Sequence, residues 1–191
     1  MKEMPTAIDG TLRKSFLRVP EVIRECSGIN VFGKRIKSLV YTTDLAIIRN
    51  VNADAILAVY PFTPQPIITQ ALLLVSDVPV FTGVGGGLTN GLRSVMLGTN
   101  AEIQGAIGVV VNAPTSNETL KSLSDALDIP VVVSIISEDC DIDARVHSGA
   151  SILNVSASKD TPKLVAKIRK NIQGFLLWQQ VDLLMILLEK L

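Results

Sequence analysis

The chain has 191 residues, is 48 % hydrophobic and carries 18 basic and 18 acidic residues, for a formal net charge of zero. That length suits one domain with an ample core. The interspersed charges leave no basic stripe for nucleic acid, the apolar runs break too soon to span a membrane, and the opening MKEMPTAIDGTLRKSF has no apolar core of a secretory signal, so a cytoplasmic protein is expected.

Residues 1–35 read as an N-terminal extension, with a helix over Thr11 to Glu25. From Ile36 a beat sets in. A short apolar run is followed by a polar or glycine-rich loop, then by an amphipathic stretch. The runs are IKSLVY from Ile36, AILAVY from Ala55, PVFTG from Pro79, AIGVVV from Ala106, PVVVSI from Pro130 and ILNV from Ile152. Their starts lie roughly 20 to 27 residues apart, the size of a compact βα unit. The runs are continuous rather than alternating, which predicts strands buried on both faces and therefore parallel.

The stretches between them carry helix signals. Thr63-Pro64 and Thr161-Pro162 each set a capping hydroxyl before a proline. In SNETLKSLSDAL, Ser116 is the expected cap, and Leu120, Leu123 and Leu127 share one face. DIDARVHSGA predicts a short helix stopped by Gly149. Cys26 and Cys140 fit no metal or redox spacing and are expected to be reduced, buried thiols.

Regular βα units make either a doubly wound sheet or a (β/α)8 barrel. A doubly wound sheet carries its phosphate loop after the first strand. Here the first run is followed by TTDLAII, and the glycine loop GVGGGLTNG comes after the third. The expected fold class is therefore α/β: an incomplete (β/α)8 TIM-like barrel of about six parallel strands over 36–174. An atypical tail, 175–191, would follow it.

The tail admits two readings. The first is a C-terminal helix, with Trp178, Val181, Met185 and Leu188 at helical spacing. The second is a frameshift near Phe175. Trp178 has a single codon, so its last base joined to the first two of Gln179 forces an alanine codon. Met185 with Ile186 likewise forces aspartate. The remaining codons permit Pro-Ile-Val-Ala-Thr-Gly-Gly-Pro-Thr-Asp-Asp after Gly174-Phe175, a strand and a Gly-Gly turn where the beat calls for a seventh unit.

The stretch SGASILNVSAS, Ser148 to Ser158, resembles the helix-end, Gly-Ala, strand module of phosphate-binding barrels. Examples are the ketodeoxyphosphogluconate aldolases, the histidine-biosynthesis isomerases and the IMP-dehydrogenase-like barrels. The arrangement also resembles a group of bacterial barrels labelled hydrolases, and in shape the glycerol-responsive antiterminator barrels. The resemblance implies a barrel whose other-frame Thr-Gly-Gly-Pro-Thr would be a phosphate loop. It carries over no catalytic residue.

In barrels the active site lies at the C-terminal ends of the strands. Asp44, after the first run, is a candidate general base or hydroxyl ligand, or else a helix cap. Gly85, Gly86 and Asn90 lie in the glycine loop, where bare backbone N–H groups can approach an anion and Asn90 can cap the next helix. Asn112 and Asn154 offer amides from strands four and six. Glu138, in SEDCD, is a candidate proton carrier or an acid of a solvated loop. Ser156 is a candidate ligand contact. Lys159 would serve as a Schiff-base lysine, as aldolases of this shape require, if desolvated; otherwise it is a surface lysine. His147, the only histidine, falls at the wrong end of its unit for catalysis.

With the resemblance to those barrels, the expectation is a metabolic hydrolase, lyase or isomerase acting on a small phosphorylated or carboxylated molecule, among which fold alone does not select. No metal, cofactor, nucleic acid or membrane is expected as a partner, while a homo-oligomer is. The other readings are a sugar-phosphate-sensing barrel without turnover and an inactive frameshift product.

Overall fold

In the computed structural model, which describes residues 17–172 and 174–179, the chain enters through an extended segment and a 3-10 turn at Glu21–Glu25. A hairpin follows, β1 (Ile29–Val31) and β2 (Lys34–Ile36), antiparallel. Its two-residue turn is Phe32-Gly33, with φ of 46° and 76°. Two left-handed residues match the twist of a tight hairpin. Ile29, Val31 and Ile36 are buried from it.

The apolar runs then form β3 (Leu39–Tyr41), β4 (Ala55–Ala58), β5 (Val80–Gly85), β6 (Gly108–Val111), β7 (Val131–Ile135) and β8 (Ile152–Val155). A seventh parallel strand, β9 (Leu177–Gln179), pairs with β8. Together they make one seven-stranded sheet in chain order, every pairing parallel. The order never reverses, as it would in a doubly wound sheet. The chain is an α/β protein, an incomplete TIM-like barrel. Between the strands run α1 (Leu45–Asn50), α2 (Pro66–Val75), α3 (Gly91–Ile103), α4 (Asn117–Ala126), α5 (Ile142–His147) and α6 (Thr161–Asn171).

The two faces of the sheet bury different sets. Outward, Val109, Val111, Val133 and Leu153 pack with Leu120 and Leu123 of α4 and Leu164 and Ile168 of α6. Inward, Leu57, Phe81, Val110, Val132 and Ile152 meet the hairpin's Ile29, Val31 and Ile36, which plug the N-terminal end of the barrel. Burial on both sides is why these strands read as unbroken Val and Ile runs.

Several expectations are corrected. Among the described residues the parallel sheet has seven strands rather than about six, and Trp178 sits in one of them rather than in a helix. Pairing with β8, Leu177 packed outward and Trp178 packed inward outweigh the local helix propensity. The Trp178 ring meets Phe81 edge-on, centroids 4.7 Å apart. The tail beyond Gln179 lies outside the described residues. Of the N-terminal helix only Glu21–Glu25 is helical among the described residues, because Pro20 holds Val19 extended. Ile36 belongs to the hairpin, and the first barrel strand starts at Leu39. Helix α2 starts at Pro66, not at Pro64, with Gln65 in the cap position. Helix α6 has Asp160 as its cap residue, and Thr161 Oγ1 instead accepts from Ala157 N. Cys26 is exposed and Cys140 half-buried. Ser116 caps α4 as read, accepting from Thr119 N, with Leu120, Leu123 and Leu127 all buried.

Asp54 fastens the hairpin to the barrel. Its Oδ2 accepts from the backbone N–H of Lys37 and of Ser38, both at 2.9 Å, and its own N–H donates to Ser38 Oγ. Burial pushes its carboxyl up, but these hydrogen bonds and the nearby Arg24 outweigh that and hold it below the ordinary carboxylate range. A depressed folded-state pKa stabilises above the unfolded value and is lost as pH falls through the folded one. Asp54→Asn is therefore expected to lower the urea midpoint at pH 7 and to flatten its decline below about pH 4. Urea titrations at pH 7 and pH 3 read both effects.

Candidate functional site

Strand register brings together residues far apart in sequence. Val111 pairs with Val133, Ser134 with Asn154, and Asn154 with Trp178. Asn112, Ser134 and Asn154 therefore lie side by side, one step above the inward Val110, Val132 and Ile152. Side chains alternate along a strand, so all three point inward. Ser134 and Asn154 are buried, and Asn154 Nδ2 donates to Ser134 Oγ at 3.3 Å. Ser156 follows on the same side of β8 and is half-buried. The result is a polar row of amides and hydroxyls at the C-terminal ends of β6 to β8, over an apolar floor.

The glycine loop closes one end of this row. β5 shifts register against β6 between Gly83 and Gly85. Gly85 O then accepts from Asn112 N at 3.0 Å. A Cβ on Gly85 would lie 2.7 Å from Ser94 Oγ of α3. Gly86 has φ of 120°, and a Cβ there would lie 2.5 Å from Asn112 Cβ. The loop is tied back on itself by Gly86 N to Thr89 O and Thr89 N to Gly86 O, at 2.8 and 3.3 Å. These glycines permit close approach of chain to chain, so the loop is a built wall rather than a loose turn. Asn90 occupies the cap position of α3, with no side-chain bond to the helix.

The titratable candidates stand around the row rather than in it. Asp44 caps α1, and its Oδ1 accepts from Ala46 N and Ile47 N at 2.7 and 3.1 Å. Glu138 is turned to α6, where it pairs with Lys163 at 3.1 Å and Lys167 at 2.9 Å. Hydrogen bonds and charge from those two lysines hold its carboxyl below the ordinary range. Lys159 is exposed on the 3-10 turn Ser158–Asp160, so the desolvation that a Schiff-base role requires is not met there. His147 is exposed at the end of α5. Among the described residues no three of His, Cys, Asp or Glu come together as a metal site. Because Glu138 is exposed and its partners lie on α6, Glu138→Gln is expected to leave the urea midpoint unchanged within error, which denaturation at pH 7 checks.

Sequence reading missed Ser134 and Trp178. The signal for Ser134 was present: a lone hydroxyl in PVVVSI, two residues after Val132 and thus on the same face. Trp178 is buried, and its Nε1 has no hydrogen-bond partner among the described residues.

Two cavities lie off the row. One, of about 310 Å³, is at the N-terminal end between the hairpin tip at Phe32, the Asp128–Pro130 segment and Ser151. The other, of about 320 Å³, lies between Thr115–Asn117 and Asp141. Arg145 fixes its wall by donating to Ala113 O at 2.7 Å, to Asn117 Oδ1 at 3.0 Å and to Thr115 O.

No family model matches the chain, and no curated protein matches it. Solved structures do. Phosphonopyruvate hydrolase, in a complex with oxalate and Mg²⁺, superposes with a TM-score of 0.61 at 12 % identity, over 77 % of this chain and 68 % of that one. Dihydrodipicolinate synthase from Aquifex aeolicus gives 0.52 at 21 % identity, over 69 % and 53 %. A 2,3-dimethylmalate lyase of the PEP mutase/isocitrate lyase superfamily gives 0.52 at 11 %, over 66 % and 56 %. The chain thus spans between about half and two thirds of these enzymes. At such identities the likeness establishes the barrel fold alone. Among the described residues no helix is long and apolar enough to cross a membrane.

Proposed function

We propose that the chain derives from a cytoplasmic metabolic enzyme, a lyase, hydrolase or isomerase. Its substrate is a small phosphorylated or carboxylated molecule, held at the C-terminal mouth of the barrel. The observation that carries this reading is the row Asn112, Ser134 and Asn154, inward over an apolar floor and flanked by Gly85, Gly86 and Ser156. Buried amides and hydroxyls orient a small anion. The fold neighbours support the class: one is a hydrolase solved with oxalate, a dicarboxylate, and another is a lyase. Asp44 is the proton carrier in this proposal, because both its capping bonds use Oδ1 and Oδ2 remains. Asparagine caps a helix as well as aspartate does. Asp44→Asn should therefore keep the thermal midpoint yet reduce turnover at least 100-fold, whereas Asp44→Ala should lower both. A screen of phosphorylated and carboxylated metabolites, with thermal midpoint and turnover measured together, tests the assignment. Turnover unaffected by Asp44→Asn contradicts the role.

A second reading is a sensor barrel that binds without turnover. It is favoured by the inner row, which among the described residues holds amides and hydroxyls and no titratable group. Ligand-induced stabilisation with no product formed would select it.

The change of reading frame near Phe175 belongs to the same proposal. In the other frame the positions of Leu177, Trp178 and Gln179 carry Ile, Val and Ala, an ordinary buried strand at the place β9 occupies. Trp178, whose buried indole N–H lacks a partner among the described residues, stands where that frame has valine. The other frame then continues with Thr-Gly-Gly-Pro-Thr at the barrel mouth.

A further inference from the structure

The outer surfaces of the neighbouring helices α2 and α3 are apolar where barrel helices normally meet water. On α2, Ile67 and Leu74 lie seven residues apart, opposite the buried Thr69 and Leu72. On α3, Leu92, Met96 and Ile103 form one stripe opposite the buried Ser94, Gly98 and Ala101. The two helices pack against each other. At their upper end, Phe62 and Leu88 extend the patch. Their loops are joined by a hydrogen bond from Thr89 Oγ1 to Thr63 Oγ1 at 3.1 Å. Each of these apolar side chains is at least 64 % exposed.

Charge is scarce across this face. Helix α2 carries no charged residue, and α3 carries only Arg93 and Glu102. The Glu102 carboxylate is turned away, accepting from the backbone N–H of Asp128 and Ile129 at 2.8 and 3.0 Å.

We propose that this face is where a second copy of the chain docks, in an isologous dimer. At on the order of 100 Å² of apolar surface for each side chain, the patch amounts to roughly 700 Å². That exceeds the few hundred Å² that a monomer ordinarily leaves in one patch. It approaches the roughly 800 Å² per partner of a standard interface. A two-fold interface must be complementary to itself, and uncharged ridges meet that condition without burying a charge. A lipid surface fits less well, because interfacial helices carry lysines and arginines along the polar margin and Arg93 is the only base on either helix.

Sedimentation of the full chain from low to high micromolar concentration tests this. The expected result is a concentration-dependent dimer that Leu74→Glu with Met96→Glu converts to monomer, with the circular-dichroism spectrum retained. Should that variant fail to fold, Met96→Cys in a Cys26→Ser background is expected to cross-link as a dimer through a short bis-maleimide, while Glu118→Cys on α4 does not. A wild-type monomer throughout the range, a dimer indifferent to the two glutamates, or Met96→Cys that stays uncross-linked would overturn the proposal. So would a wild-type monomer that floats with vesicles of neutral and anionic phospholipid.

Discussion

Gly86→Ala is expected to destabilise the protein by about 2–4 kcal/mol and to abolish ligand binding at the row. Two costs combine. The backbone at Gly86 has φ of 120°, which an L side chain rarely adopts. Its new methyl would also fall 2.5 Å from Asn112 Cβ. Asn112 N is held by Gly85 O, so the residue cannot retreat without breaking the β5–β6 pairing. Gly87→Ala is the control. Its φ of 59° is also left-handed, but nothing lies within 4 Å of the position. It should cost about 1 kcal/mol and leave binding intact. Urea midpoints of the two variants separate backbone strain from the collision with Asn112. Equal losses would mean that the approach of Gly86 to Asn112 carries no weight.

The second large effect concerns strand β9. A chain rebuilt in the other frame, from Pro-Ile-Val-Ala-Thr-Gly-Gly-Pro-Thr onward, is expected to melt on the order of 10 °C higher, equivalent to about 3–5 kcal/mol for a domain of this size. Valine at the place of Trp178 removes a buried indole N–H that lacks a partner among the described residues, a defect that costs about 1–3 kcal/mol. A following βα unit would add cover for β3 and β9, the edges of the described sheet. The gene sequence from the codon for Gly174 comes first, because it states whether that frame is open. Calorimetry of the rebuilt chain then measures the gain. A closed frame, or a rebuilt chain that melts at the same temperature, would leave the tail as this protein's own sequence.

The barrel was legible because its strands are buried on both faces. That burial writes itself into the chain as continuous runs such as VVVSI and GVVV, evenly spaced. Helix α4 was legible for a related reason: its cap and its leucine face are local signals. The hairpin at Ile29–Ile36 was missed although INVFGKRI contains its turn glycine, because Phe32 is an unusual occupant of a left-handed turn position. Strand β9 was read only as a place in the beat. Leu177-Trp178-Gln179 has no β-branched residue, and its strand form comes from pairing with Leu153, Asn154 and Val155, which lie far back in the sequence. At the site, Asn112 and Asn154 were found because an amide inside an apolar strand needs a partner. That partner, Ser134, left a local signal as the lone hydroxyl in PVVVSI, but only register shows that it stands opposite Asn154. Glu138 drew notice as an acid at a strand end, and only the fold reveals that two lysines of α6 engage it.

The row at the barrel mouth is proposed as the ligand site. Two-dimensional NMR of the side-chain amides, with oxalate and then inorganic phosphate titrated into the isotopically labelled chain, is the decisive measurement. Saturable shifts are expected in the Asn112 and Asn154 amide pairs for at least one of the two anions, lost in Gly86→Ala. Shifts confined to Asn30 at the N-terminal cavity or to Asn117 beside Arg145, or no saturable shift with either anion, would contradict it.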